Sequence, residues 1–172
     1  EKFGKQAFIA RIRTKYLRLF GSVLSPFDAY LALIGLETIS ERLDKEVKSA
    51  TKIAHYLSNN SNVKHVYYSG SDLSNKLAEK YFPKGIGSIL ACEIAGTDQQ
   101  VNQLLDAVRV FSYLPNIGDS KSLIVNPVKT THREIPGAIR TTQGLNSHVI
   151  RLSIGLEDID DLDQAINQAF SN

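Results

Sequence analysis

In the segment Val149-Ile150-Arg151-Leu152-Ser153-Ile154-Gly155, Arg151 sits in a run of aliphatic residues that otherwise reads as a strand. A guanidinium is costly to bury unless an anion faces it, and its planar fork matches a carboxylate through two parallel hydrogen bonds. Arg151 therefore points to a carboxylate site, the structural alternative being an ion pair with an Asp or Glu of the same chain. Two other segments place polar residues and glycine where a plain core would not. They are Asn116-Ile117-Gly118-Asp119-Ser120-Lys121-Ser122-Leu123 and Asn126-Pro127 through Thr130-Thr131-His132. The histidines His55, His65, His132 and His148 share no metal-binding spacing with one another or with Cys92, so zinc is not supported. Gly85-Ile86-Gly87 precedes a strand rather than a helix, which makes it a turn and not a phosphate cradle.

These residues need elements to hold them. Phe8, Ile9, Ile12, Tyr16, Leu17 and Leu19 recur at helical spacing between Lys5 and Phe20, with Arg11, Arg13, Lys15 and Arg18 interspersed, and Gly21 ends the pattern. Ser25-Pro26-Phe27-Asp28 reads as a helix start: a serine cap, proline where no amide donor is lost, and an acid three residues after the cap. The spacing predicts one long helix from Pro26 to about Leu57. Its packed stripe would be Leu33, Leu36, Ile39, Leu43, Val47, Ala50, Ile53, Ala54 and Leu57. After Asn59 to Asn62 the texture changes. Strands are expected at 63–68, 87–95, 110–113, 123–125 and 149–154, and helices at 73–82, 98–108 (capped by Thr97) and 160–170, with 126–148 irregular. The later strands leave no room for crossover helices. The expected class is α+β: long amino-terminal helices followed by a mainly antiparallel sheet with helices on one face.

The chain of 172 residues, 42% hydrophobic and 22% charged, can bury one sizeable core. A formal net charge of +2 does not argue for a nucleic-acid or membrane partner. Cys92 lies in the apolar run Ile89-Leu90-Ala91-Cys92, which predicts a buried thiol in a reducing, cytoplasmic setting. No stretch approaches the apolar length of a membrane helix, and no secretory pattern opens the chain. With Glu1 first and no methionine anywhere, the chain reads as part of a longer polypeptide.

Leu24-Ser25-Pro26-Phe27-Asp28-Ala29-Tyr30 leading into Gly35-Leu36-Glu37-Thr38, then Asn116 to Leu123, Thr130-Thr131-His132 and Ile150 to Glu157 resemble, in order and spacing, the Cys/Met-metabolism family of fold-type I pyridoxal-phosphate enzymes. The Asn116-Ile117-Gly118 form is similar to the O-acetylhomoserine sulfhydrylase branch; cystathionine-handling members carry a serine followed by Leu-Gly-Gly there. The resemblance implies that residues 25–172 are the small carboxy-terminal domain and that 1–24 trail from a cofactor domain outside the chain. It also implies that Arg151 and Asn116 bind the substrate carboxylate, with Thr131 nearby. Catalytic and cofactor-binding residues are expected upstream, and the fragment alone is expected to bind no pyridoxal phosphate and to be inactive. Further implications are O-acetylhomoserine and sulfide or a thiol as substrates, and a homo-oligomer, a tetramer for the full-length protein. Asn126, where many members have histidine, and residues 133–147, which lack an acidic run, depart from the pattern.

Ser49-Ala50-Thr51-Lys52 reproduces the tetrapeptide around that family's cofactor lysine, but Ile53-Ala54-His55-Tyr56-Leu57 follows it instead of a glycine-rich turn. A solvent-facing helical lysine lacks the desolvation that makes a lysine a nucleophile, so Lys52 is set aside. Two other readings stand beside the leading one: the same domain of a methionine γ-lyase or a cystathionine γ-synthase or lyase, and a non-catalytic amino-acid-sensing α+β module.

Overall fold

The computed structural model describes residues 4–70, 76–83 and 85–171, and the chain folds as two compact units, Glu1–Ile39 and Ser40–Asn172. In the first unit a 3-10 turn, Gly4–Gln6, runs into α1 (Ala7–Arg11), a π-helical segment, Ile12–Leu17, and α2 (Arg18–Phe20). Gly21, at φ 62°, ends this stretch with its N–H donated to the Leu17 carbonyl at 2.8 Å. The positive φ is one that glycine adopts without steric cost. α3 (Pro26–Glu37) starts as its sequence predicts, with the Asp28 N–H donated to Ser25 Oγ at 3.1 Å and proline in the first turn. None of these elements contains a buried residue.

The single helix expected from Pro26 to Leu57 is two. Thr38, β-branched and at φ −114°, ψ 15°, leaves the helical well and separates α3 from α4 (Ile39–Ser58). The expected stripe is corrected with it: Leu33, Leu36, Ile39 and Leu43 are exposed and Val47 is half-buried, while Glu46, Ser49, Ala50, Ile53, Ala54 and Leu57 form the buried face. Helical spacing marks an apolar face but does not supply what lies opposite it, and within the described residues only the second half of α4 meets a core.

That core belongs to a five-stranded sheet of order β1 (Val63–Tyr67), β2 (Ile89–Ile94), β5 (Val149–Ser153), β4 (Leu123–Val125), β3 (Ser112–Tyr113). Every pairing is antiparallel except β3 with β4. The register sets Val66 beside Cys92, Cys92 beside Ile150, and Leu90 and Ile124 on either side of Leu152. Because side chains alternate along a strand, these residues share one face. They cluster with Ala50, Ile53, Ala54 and Leu57 of α4, Val101 and Leu104 of α6 (Asp98–Ala107), and Leu162, Ala165, Ile166 and Ala169 of α8 (Ile159–Ser171). Burying each such aliphatic side chain contributes about 1.5–3 kcal/mol. The α+β class, with a mainly antiparallel sheet and helices on one face, is the observed architecture.

Local signals account for most of the remaining boundaries. α6 has a full capping box: Thr97 Oγ1 accepts from the Gln100 N–H at 3.3 Å, and Gln100 Oε1 accepts from the Thr97 N–H at 2.9 Å. Of the helix expected at 73–82, α5 occupies Lys76–Tyr81, and 73–75 lie outside the described residues. The stretch expected to be irregular contains one short helix, α7 (Gly137–Thr142). It begins after Pro136, whose preset φ suits a helix start.

Candidate functional site

β5 is the central strand of the sheet, and its burial explains why Arg151 stands out. Val149, Ile150, Leu152 and Ser153 are all buried, whereas Arg151 is half-buried and shares its row with Ala91 and Val125, on the face opposite the helical core. No Asp or Glu among the described residues lies within ion-pair distance of it. Its Nη2 instead donates to the backbone carbonyl of Asn116 at 3.5 Å, the far limit of a hydrogen bond. Arg151 and Asn116 are thus brought together from positions 35 residues apart.

Asn116 opens a loop that braces itself. Its Nδ2 donates to Asp119 Oδ2 at 3.1 Å, its Oδ1 accepts from the Ile117 N–H at 2.9 Å, and Asp119 Oδ1 accepts from the Lys121 N–H at 3.1 Å. The Lys121 amide, and after it the Asn116 side chain, hold the exposed Asp119 carboxyl below the usual carboxylate range. Gly118, at φ 69°, makes the turn. Thr131 is not joined to this cluster. It is exposed, its Oγ1 is 2.7 Å from Nδ1 of His132, and no hydrogen bond links it to Arg151 or Asn116 among the described residues.

Glu157, Ser122 and Gly155, to which sequence patterns assign no role, hold the far end of the loop. Glu157 Oε1 accepts from the Ser122 N–H at 2.8 Å and its Oε2 from the Ser122 hydroxyl at 2.7 Å, while the Gly155 N–H donates to Ser122 Oγ at 2.8 Å. The backbones close further where the Leu156 N–H donates to the Ser120 carbonyl at 2.9 Å. A Cβ on Gly155 would come within 2.5 Å of the Lys121 carbonyl carbon, so this crossing requires glycine. The signal was present as a serine before β4 and an acid after β5, but partners separated by 35 residues are not paired by any local pattern.

A cavity of about 930 Å³ lies elsewhere and is lined by Thr51, Lys52, His55, Asn59, Gly70 and Asp163 among others. It does not fit a phosphate-bearing cofactor. Ser58 and Asn59 bring it to the carboxy-terminal end of α4, where the helix dipole places partial negative charge, and Asp163 adds a carboxyl that burial, then Asp160, push up. Lys52 is exposed on α4. Among the described residues no group of His, Cys, Asp and Glu is arranged to hold a metal.

The α+β domain thus presents Arg151, with no acidic partner among the described residues, on the sheet face opposite the helical core and beside the self-braced loop opened by Asn116. The model of the Cys/Met metabolism PLP-dependent enzymes matches residues 4–171, and the chain belongs to that family. It is 36% identical to the O-acetyl-L-homoserine sulfhydrylase of Leptospira meyeri over all of this chain and 40% of that protein. Among solved structures it is similar to a putative O-acetylhomoserine (thiol)-lyase of Campylobacter jejuni, which carries a pyridoxyl-lysine monophosphate (TM-score 0.85, 34% identity, 95% of this chain and 39% of that one). It is also similar to a cystathionine γ-lyase of Micromonospora echinospora (TM-score 0.84, 28% identity, 95% and 43%). The chain spans about 40% of the length of the curated relatives it matches.

Proposed function

We propose that this chain is the substrate-orienting small domain of a pyridoxal-phosphate-dependent O-acetylhomoserine sulfhydrylase, which replaces the γ-acetoxy group with sulfide or a thiol. The observation that carries this reading is Arg151: half-buried on the central strand, free of any acidic partner among the described residues, and set beside Asn116. The sulfhydrylases among the relatives support the choice of branch.

In this reading residues 1–24 trail from the cofactor domain and 25–172 form the small domain. Arg151 takes the amino-acid carboxylate through its guanidinium fork, and the loop opened by Asn116 limits where that carboxylate can sit. Thr131 is assigned to the edge of the same substrate region. Pyridoxal phosphate, held by residues outside this chain, supplies the electron sink that labilises bonds at the substrate α-carbon. A fixed carboxylate sets the orientation in which that sink acts. The whole protein is further proposed to be a cytosolic homo-oligomer, a tetramer by family resemblance. The buried lone thiol of Cys92 supports a reducing compartment, and none of the described helices is long and apolar enough to cross a membrane.

The likeness to a cystathionine γ-lyase keeps a second reading in view, in which the same carboxylate grip serves cystathionine chemistry. The complete polypeptide, loaded with cofactor, separates them. Release of acetate from O-acetylhomoserine that depends on sulfide or methanethiol is expected; turnover of cystathionine or methionine in preference to that reaction would overturn the sulfhydrylase reading.

A further inference from the structure

We propose that Glu157 is a positioning residue for the substrate carboxylate: through Ser122 it fixes loop 116–122 against the end of β5 and so sets where the Asn116 carbonyl meets the Arg151 guanidinium. The inference rests on the carboxylate reading of Arg151. Three observations independent of that reading define the clamp. The half-buried Glu157 accepts both donors of Ser122, at 2.8 Å and 2.7 Å. Ser122, fully buried, passes the constraint on by accepting the Gly155 N–H at 2.8 Å. Gly155 lets the loop backbone approach to where no Cβ fits. From Ser122 the bracing of Lys121 by Asp119 and of Asp119 by Asn116 runs unbroken to the carbonyl that touches Arg151.

A carboxylate is the group this clamp needs, since two converging donors require an acceptor at each oxygen. Glutamine keeps the shape but presents one acceptor and one NH2: with its oxygen taking the Ser122 N–H, the hydroxyl can only accept from the NH2, its own proton loses its acceptor, and the charge assistance of both bonds is gone. The loop should slacken at its anchored end, Asn116 should drift, and the carboxylate pocket should lose definition while the reacting end of the substrate and the sulfur donor are untouched.

The test uses the complete, cofactor-loaded polypeptide and compares wild type with Glu157→Gln. Roughly a tenfold rise in KM for the amino-acid substrate is expected, with kcat and the KM for sulfide within about twofold, as loss of one charge-assisted bond predicts. The readout that a merely structural role would not move is discrimination. The affinity ratio between an unreactive competitive amino acid and its carboxamide should fall by about the same factor. Should Glu157→Gln not give folded protein, Ser122→Ala, which removes only the hydroxyl arm, carries the same comparison. An unchanged ratio in the folded variant overturns the proposal. Arg151→Lys run alongside separates the two levels: if it collapses the ratio and Glu157→Gln does not, the positioning role fails alone. If Arg151→Lys leaves the ratio intact, the carboxylate reading falls and the positioning role falls with it.

Discussion

Arg151 lies between buried neighbours and has no carboxylate of its own chain among the described residues to compensate for lost water. Replacing it tests that imbalance. Arg151→Lys substitutes a point charge for a planar fork, and in the complete enzyme it should raise KM for the amino-acid substrate by roughly ten- to a hundredfold, read by steady-state kinetics. Unchanged kinetics would take Arg151 out of the site. Cys92 shows the opposite use of burial: desolvation pushes its thiol up to about 12, so it should react with thiol reagents only after unfolding. The sign follows from linkage. The folded pKa lies above the unfolded one, so the contribution is fully present below about pH 9 and is lost as pH rises towards 12, by up to about 1.4 kcal/mol per pH unit. Urea unfolding at pH 8 and pH 10 should show that slope, and Cys92→Ala should flatten it.

The loop and the end of β5 are held by contacts between elements rather than within them. Gly155→Ala forces a Cβ against the Lys121 and Ser120 backbones and should cost about 1–3 kcal/mol or more, measured by denaturant unfolding; a variant as stable as wild type would mean that the 120–122 backbone yields to a methyl group at no cost. At the other end of β5, Asp98 of α6 accepts from the Ser147 hydroxyl at 2.5 Å and from His148 Nε2 at 3.1 Å. The Ser147 hydrogen bond, foremost, holds the Asp98 carboxyl below its ordinary value. Its contribution is therefore present above the usual carboxylate range and lost as pH falls through it, and Asp98→Asn should reduce the acid sensitivity of unfolding. Thr97→Ala, which removes the cap that starts α6, should cost about 1 kcal/mol.

Residues 4–39 leave Phe8, Leu19, Phe20, Phe27, Tyr30 and Leu33 at least 60% exposed, and α3 has large apolar side chains on several sides. Helices apolar all round are normally covered. The 172-residue chain alone is accordingly expected to bind an apolar-surface dye strongly and to release no acetate from O-acetylhomoserine when mixed with pyridoxal phosphate. Addition of the remaining part of the polypeptide should suppress the dye signal. A stoichiometric lysine adduct lost in Lys52→Ala, or turnover by the chain alone, would overturn the proposed division of labour.

Features governed by a few neighbouring residues were legible in the sequence. The caps at Ser25 and Thr97, the stop at Gly21, the strands around Leu123 and Val149 and the α+β class all rest on backbone propensity and side-chain alternation within about one turn or one strand. Arg151 was legible for the same reason, because a charge inside an aliphatic run is anomalous without any knowledge of its partner. The tertiary structure alone decided what faces what: that Thr38 breaks the helix, that Leu36 and Leu43 meet no core among the described residues, that Asn116 reaches Arg151 while Thr131 does not, and that Glu157 clamps Ser122. Periodicity states which side of an element is apolar, but a hydrogen bond or a buried contact depends on two segments arriving at one place, and their sequence separation carries no record of that meeting.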